Sequence, residues 1–479
     1  MHGKGRSLIA IFDDWPLEAS ALLHSLKGHL EESTDARISA EGIVRILVYG
    51  INFAPEVTGI GKYSGEMAKW LAARGHEVRV VAAPPYYPNW KIGDGYRAWK
   101  YTEEEIRVPI HPELCANEVS SDGQCANVQE GRGSLNVYRC PLWVPTRPSG
   151  PKRLLHLASF AMSSLPLVLW LACWRPSVLL VVAPALFCAP GALLGAWLCG
   201  ARSWLHIQDF EVDAAFELGF LNGSTLRRSV EVAERWVLGR FNRVSTISLR
   251  MMEHLRNKGV AADQCVLFPN WADIGGGGQG SLRTEFGIAQ DAVVALYSGN
   301  MGKKQGLELL AEAASLLRAD RRLHFVFCGD GAGRRELIER CHGLQNVRFM
   351  GLQPAERLGE LLAMADIHLL PQRADAADLV MPSKLTGMLA SGRPVVATAN
   401  VGTEIEVAVN GRGLVVRPGD AAAFAAAIVE LADDPVRRRS LGAAGRKFAI
   451  ENLDKEMVLR RFEDMTIKLV SKEVVEQSI

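Results

Sequence analysis

Short apolar runs, each closed by Gly, Pro or Asn and followed by a stretch of helical spacing, recur along this chain. The first is VRILVYG at 44–50. A Gly-rich turn follows it, then an amphipathic helix stopped by Gly75, then a second apolar run at Val78–Ala82. Strand, helix and strand in that order predict a βαβ unit. Further buried strands are predicted at 177–184, 202–210, 241–248 and 264–270, the third of them followed by the helix LRMMEHLRNKG. WADIGGGGQGS then reads as a linker. The pattern restarts at AVVALYSGN (292–300). Strands are predicted there, at 323–331, at 346–351, in DIHLLP and at 413–420, with helices over 304–318, RRELIERC and 354–364. In DLVMPSKLTGMLASGRPVVATA (378–399) a loop leads through a helix, with Ser383 suited to its N-cap, into another buried strand.

Two successive runs of alternating strands and helices predict an α/β protein made of two doubly wound, Rossmann-like domains facing each other across a cleft. The predicted divisions are an N-terminal extension at 1–43, poorly ordered, and a first domain at 44–270 carrying a flexible insertion at about 107–136. A Gly-rich linker at 271–283 and a second domain at 284–453 follow. A terminal segment at 454–479 completes the chain.

Two segments break the pattern. LLHLASFAMSSLPLVLWLAC (154–173) is long enough to weigh as a membrane span, but Pro166, His156 and three serines interrupt it, and Lys152, Arg153 and Arg175 flank it. Buried domain helices are the first reading, a membrane-surface patch the second and a true span the last. LFCAPGALLGAWLCG (186–200) reads as a helix packed on the sheet.

Composition adds exclusions. At 479 residues the chain is too long for one ordinary core. A net charge of +1 supplies no global field for nucleic acid, which is not expected as a partner. Nine cysteines without a C-x-x-C pair, mostly in apolar runs, read as reduced structural residues; Cys115 and Cys125, in a polar loop, leave room for one bridge. No cluster with metal-ligand spacing is present, so no metal is expected. The first twenty residues, interrupted by Asp13 and Asp14, do not form a signal peptide.

Candidate chemistry gathers at predicted strand ends. Gly59, Gly61 and Lys62 open a helix after the first strand, where backbone amides can meet a phosphate or sugar oxygen; a tight turn is the plainer reading. His206 and Asp209 end a central strand and could act as a base or orient an acceptor hydroxyl, although Asp209 could equally cap a helix and His206 fill the core. Gly299, Asn300, Lys303 and Lys304 place amides and cations at another helix start. Gly329, Asp330 and Gly331 form a third such turn. Lys384 at a helix N-terminus opposes the helix dipole, unless an anion belongs there. These positions fit a nucleoside diphosphate held by the second half of the chain.

The residues also resemble a known family. FAPEVTGIGKYSGEMAKWLAARGHEV, HIQDFEVDAAFELG, FPNWAD, LYSGNMGKKQGLELL, FVFCGDG and MPSKLTGMLASGRPVVATA are similar to the GT-B-fold, retaining glycosyltransferases of family 4. The likeness is nearest to enzymes of the colanic-acid-pathway and fucosamine-transferase type, and runs from Val44 onward. It implies transfer of a hexose or deoxyhexose such as fucose from a nucleoside-diphosphate sugar, with retention and without a cofactor. The C-terminal domain would hold the donor and the N-terminal domain the acceptor, with the last helix returning to the N-terminal domain. The acceptor implied is a polyprenyl-diphosphate-linked glycan in exopolysaccharide assembly, at the cytoplasmic face of the inner membrane with the enzyme bound peripherally. Two glutamates usual in the family are replaced here by Leu379 and Gly387, and a usual Arg and Lys by Asn300 and Gln305. The resemblance assigns Lys303, Ser383 and Lys384 to the diphosphate, Glu404 or Glu406 to the ribose, and His206 and Asp209 to orienting acceptor or sugar. A nucleotide-sugar epimerase and a non-catalytic nucleotide-sugar-binding partner are the rival readings.

Overall fold

The computed structural model describes residues 42–56, 59–110, 132–146, 149–183, 186–210, 212–213, 216, 224–272, 274, 281–302, 305–373 and 382–476. The predicted extension at 1–43 therefore lies almost wholly outside the described residues, as does most of the Gly-rich linker. The chain divides into two compact units.

Unit 1 runs to Thr246 and adds Met252–Phe268 and the chain from Leu459 onward. Its elements are β1 (Arg45–Tyr49), α1 (Gly59–Ala73), β2 (Glu77–Ala82), β3 (Thr102–Pro109), β4 (Arg132–Arg139), α2 (Gly150–Ala172), β5 (Val178–Ala183), α3 (Ala189–Cys199), β6 (Arg202–Ile207), α4 (Ser224–Leu238), β7 (Arg243–Thr246), α5 (Leu249–Asn257) and β8 (Cys265–Leu267). The first turn of α5 groups with unit 2. The sheet order is β3-β4-β2-β1-β5-β6-β7-β8, parallel except for the antiparallel β3–β4 pair. β5 (VLLVVA) is buried along its whole length, as a parallel strand covered on both faces must be.

β3 and β4 correct the sequence reading, which placed an insertion over 107–136. Residues 102–109 and 132–139 are paired strands, and 111–131 lie outside the described residues. β3 is an edge strand, TEEEIRVP, with one buried side chain, Val108. It therefore lacks the apolar run that marks a central strand.

Unit 2 comprises Ile247–Met251 and Pro269–Val458. It contains α6 (Ser281–Glu285), β9 (Val293–Ser298), α7 (Leu307–Leu316), β10 (Leu323–Cys328), α8 (Arg334–Arg340), β11 (Val347–Met350), α9 (Leu358–Ala363), β12 (Ile367–Leu370), α10 (Ser383–Ala390), β13 (Val395–Thr398), α11 (Glu404–Val409), β14 (Gly413–Val416), α12 (Ala421–Asp433) and α13 (Pro435–Asn452). All six strands are parallel, in the order β11-β10-β9-β12-β13-β14. One face buries Leu310, Phe325, Phe327, Phe424 and Ile428; the other buries Leu385, Met388, Leu389, Ile405 and Val409. Strand order reverses beside β9 here and beside β1 in unit 1, and such switch points are where open α/β sheets bind ligands.

The last helix, α14 (Lys455–Glu476), joins unit 1 from Leu459. Phe462 stacks on Phe268, with centroids 4.6 Å apart, and meets Trp204 at 4.9 Å. Beside it, the Val44 amide donates to His76 Nδ1, so His76 Nε2 carries the proton and donates to Glu463 at 2.9 Å. Arg74 donates to the same oxygen at 3.1 Å. Burial pushes the Glu463 carboxyl up, but His76 and Arg74 outweigh burial and hold it below the usual range.

Candidate active site

In unit 2 the turns after β9 and β10 close against each other. Met301 N donates to Asp330 O at 2.8 Å, and Gly333 N donates to Met301 O at 2.7 Å. Gly329 has φ +144°, and a Cβ there would lie 2.0 Å from Gly299 O; at Gly331 it would lie 2.7 Å from Asn300 Oδ1. The backbone approach that these glycines permit is therefore between the two turns themselves. A ligand, if it binds, meets a surface that is already assembled.

Lys384 projects onto that surface from the start of α10. Its Nζ lies 4.5 Å from the Tyr297 ring centroid and 3.1 Å from Gln305 Oε1, and its Cδ is 3.6 Å from where a Gly299 Cβ would be. Tyr297 is held in turn by donating its hydroxyl to Asn300 O at 2.6 Å. Among the described residues no carboxylate pairs with Lys384. Burial brings its ammonium down to about 7, because the charged form has lost water without gaining an anion.

Ser383 is not the N-cap that the sequence led us to expect. The cap position is Pro382, with φ −59° and ψ 127°, and Ser383 is the first helical residue, exposed. Proline has no side-chain acceptor, so no side chain among the described residues caps α10; Leu385 N turns back to Pro382 O at 2.9 Å, which leaves the Ser383 and Lys384 amides for an anion. Gly387, where the family carries a glutamate, faces α9: a Cβ would sit 3.2 Å from Leu362 Cδ1. Lys303, Lys304 and Leu379 lie outside the described residues.

Glu404 and Glu406 are occupied elsewhere. Thr403 caps α11, accepting from Glu406 N at 3.2 Å. The Glu406 carboxylate accepts from Gly402 N at 3.4 Å, and buried Glu404 accepts from Arg250 N at 3.2 Å. No hydrogen bond joins either glutamate to Lys384 among the described residues.

In unit 1 the switch point is organised by a residue that the sequence reading missed. Glu56 Oε1 accepts from the Tyr86 and Tyr87 amides at 3.1 and 3.0 Å, and Oε2 accepts from Asn52 Nδ2 at 3.0 Å. A Cβ at Gly61 would lie 2.6 Å from Glu56 Oε2, so this glycine is required by the carboxylate beside it. Gly59, at φ +58°, turns the chain into α1. Burial pushes the Glu56 carboxyl above its usual range despite these donors and nearby Arg139. The cue available in the sequence was the acidic residue ahead of the Gly-rich turn in NFAPEVTGIG.

His206 and Asp209 part company. His206 is 4% exposed, with Nδ1 2.9 Å from Ser245 Oγ and its ring 4.9 Å from Phe268. Burial depresses its imidazole to about 3, so it is neutral at physiological pH. Of the readings open for it on sequence, this favours a neutral residue packed at the strand end over a general base. Asp209 is exposed and lines a small cleft with Phe210, Glu234 and Leu238. The chain after β6 is pinned by Asp213, which meets His254 at 2.7 Å and Lys258 at 2.9 Å; Lys258 also meets Glu234 at 2.5 Å. Among the described residues no group of three or more His, Cys, Asp or Glu could hold a metal ion.

Two family models match the chain: a glycosyl transferase 4-like domain over residues 58–271, and glycosyl transferases group 1 over residues 292–434. WcaI, a colanic acid biosynthesis glycosyl transferase of Escherichia coli K12, is 43% identical over 434 residues, covering 88% of this chain and 98% of that protein. This chain belongs to the group 1 glycosyltransferases. The transferase also matches a D-inositol 3-phosphate glycosyltransferase of Corynebacterium aurimucosum, at 33% identity over 34% of this chain and 40% of that protein. Among solved structures, sucrose-phosphate synthase from Thermosynechococcus elongatus aligns with a TM-score of 0.64 at 16% identity, over 89% of this chain and 99% of that one. Anabaena HepE in complex with UDP aligns at 0.57 and 14% identity, over 88% of this chain and 99% of that one. These likenesses establish the fold as GT-B. The group 1 match takes in Gly299 through Glu406, and the 4-like match takes in Gly59, Gly61, His206 and Asp209.

Proposed function

We propose that the transferase uses a nucleoside-diphosphate sugar whose diphosphate lies at the start of α10, against Lys384 and the Gly299–Asn300 and Gly329–Gly331 turns. The observation that carries this reading is the Lys384 ammonium, desolvated, without a carboxylate partner among the described residues and beside an uncapped helix N-terminus. An anion there restores the lost solvation and meets the open amides. Ser383, exposed at the first helical position, and Lys303 add donors in this reading. Glu404 or Glu406 accepts from the ribose hydroxyls in this reading, through the carboxylate oxygen that the backbone amide leaves free. The UDP in the HepE structure supports a nucleotide-bound donor.

The reaction proposed is retaining and same-faced. The bond from the anomeric carbon to the diphosphate breaks, and the acceptor oxygen bonds to that carbon on the same face. The acceptor proton passes to the departing phosphate oxygen. Lys384 stabilises the charge that develops on the leaving group, and Asp209 orients the acceptor hydroxyl. The sugar is a hexose or deoxyhexose such as fucose. The acceptor is a polyprenyl-diphosphate-linked glycan in exopolysaccharide biosynthesis, met at the cytoplasmic face of the inner membrane with the enzyme bound peripherally; the likeness to WcaI supports the pathway.

A thermal-shift screen of UDP-, GDP- and dTDP-sugars tests the donor site. At least one should raise the melting temperature of the wild type, with the gain largely lost in Lys384→Ala. Stabilisation by none, or equally of both proteins, defeats the assignment. Once a donor is known, proton NMR of the product gives the anomeric configuration, and inversion would rule out the same-face step.

A further inference from the structure

We propose that the outer faces of α2 and α3 together form a docking surface for an anionic lipid bilayer, on which the protein rests without spanning it. This rests on the peripheral membrane binding of the proposed function and names the surface that makes it; its test is independent of the donor site.

α2 has 23 residues and is long and apolar enough to cross a membrane. One stripe of it, however, belongs to unit 1: His156, Phe160, Ser164, Leu167, Val168 and Leu171 are buried. Ser164 Oγ lies 2.6 Å from the buried Tyr49 hydroxyl, and His156 Nδ1 lies 2.7 Å from Trp143 O. A helix held to the sheet in this way does not span. Yet only 33% of its most apolar window is buried. Leu155 and Met162, seven residues apart on one side, stand open to solvent, Met162 at 76%.

The neighbouring helix repeats the pattern. Leu194 and Trp197, one turn apart on α3, are exposed, Trp197 at 77%, as is Phe187 in the short turn before it. Small residues bring the two helices together: a Cβ at Gly191 would lie 2.9 Å from Leu165 Cδ1, and one at Gly195 would lie 3.2 Å from Val168 Cγ1. Large apolar side chains exposed together on two packed helices mark an interaction site. Trp197 has the amphipathic ring favoured at the headgroup level.

Charge decides the occupant. No Asp or Glu occurs from Gly131 to Gln208, although the chain carries 53 of them. The same stretch carries Arg132, Arg139, Arg147, Lys152, Arg153, Arg175 and Arg202. Lys152 and Arg153 are exposed in the first turn of α2, and Arg175 is exposed just past its end. Among the described residues no carboxylate pairs with Lys152, Arg153 or Arg175, so two copies meeting through this face would bring like charges together. A bilayer with anionic headgroups takes the apolar residues into its acyl boundary and pairs the cations at its surface.

The test is flotation of the full chain with phosphatidylcholine vesicles, with and without a third of phosphatidylglycerol. The wild type should float with the anionic vesicles. The double variant Met162→Asp/Trp197→Asp should lose at least tenfold in partitioning. Lys152→Glu/Arg153→Glu should lose the preference for anionic lipid, and added salt should weaken wild-type binding. Circular dichroism and retained nucleotide-sugar stabilisation show that the variants fold. Failure of the wild type to float, or equal flotation of the Asp double variant, overturns the proposal. So does concentration-dependent self-association without lipid that the Asp variant abolishes, which would make the face a contact between copies. A protein that responds to nucleotide sugars but does not float keeps the donor site and loses this surface.

Discussion

Each unit places a titratable side chain at its switch point, Glu56 buried and Lys384 half-buried, and the two are treated in opposite ways. Glu56 in unit 1 is surrounded by donors from its own chain: two backbone amides and Asn52. Lys384 in unit 2 has a glutamine oxygen and the face of a tyrosine ring, and no anion among the described residues. A buried charge matched by the chain is a fastening, because removing it strands its donors. One left for an outside partner is a binding group, because removing it relieves desolvation and harms only what binds.

The sharpest way to break this contrast is to delete both charges. Lys384→Ala should lower kcat by roughly a hundred- to a thousandfold, the usual loss for one transition-state donor, while leaving the melting temperature unchanged or raised. Glu56→Ala should destabilise unit 1 by about 3 kcal/mol, since it strands several buried donors, and Glu56→Gln should recover much of that. Denaturant unfolding and steady-state kinetics of the three variants measure both effects; a Lys384→Ala that unfolds easily would erase the distinction.

Gly329→Ala comes next. With φ at +144° and a Cβ 2.0 Å from Gly299 O, it should cost about 2–3 kcal/mol and loosen donor binding together with stability, because the turn is itself the surface. Glu463→Gln is expected to cost about 2 kcal/mol by weakening the bonds to His76 and Arg74. Its acid behaviour has a definite sign. The folded carboxyl lies below its unfolded value, so its stabilisation is present above the unfolded pKa and is lost as pH falls through the folded one. Thermal melts at neutral and acid pH should therefore converge for wild type and Glu463→Gln as pH falls.

The smallest effect is on donor affinity. With the free ammonium near 7, binding an anion takes up a proton above that pH. Affinity for a nucleoside diphosphate should fall by about tenfold per pH unit from there up to the pKa of the bound state, and calorimetry of Lys384→Ala should show no such slope. For the free protein the linkage is also definite: the unfolded chain holds this proton to higher pH, so stability rises with pH between about 7 and the ordinary lysine range.

The alternation of buried strands and helices, the glycine turns at strand ends and the cation opening α10 were legible in the sequence, because each is a local pattern. β3 was not legible, because an edge strand with one buried side chain carries no apolar signature, and β4 went unread with it although Leu135, Val137 and Tyr138 are buried. For His206 the sequence left base, orienting group and core residue open, because being next to a strand end does not decide whether a ring faces a ligand or the core.

What the sequence determined by itself is therefore the two-unit α/β plan and the strand ends where chemistry gathers, since hydrophobic period and turn residues act over a few positions. Only the tertiary structure decided which polar groups answer one another. It sets Lys384 against Gln305 and Tyr297, sequence neighbours of neither, and folds the Tyr86 and Tyr87 amides onto Glu56. It also makes Gly329 a spacer against Gly299. Whether a buried charge is matched or left waiting depends on what packing brings within hydrogen-bond reach, and that is a property of the fold.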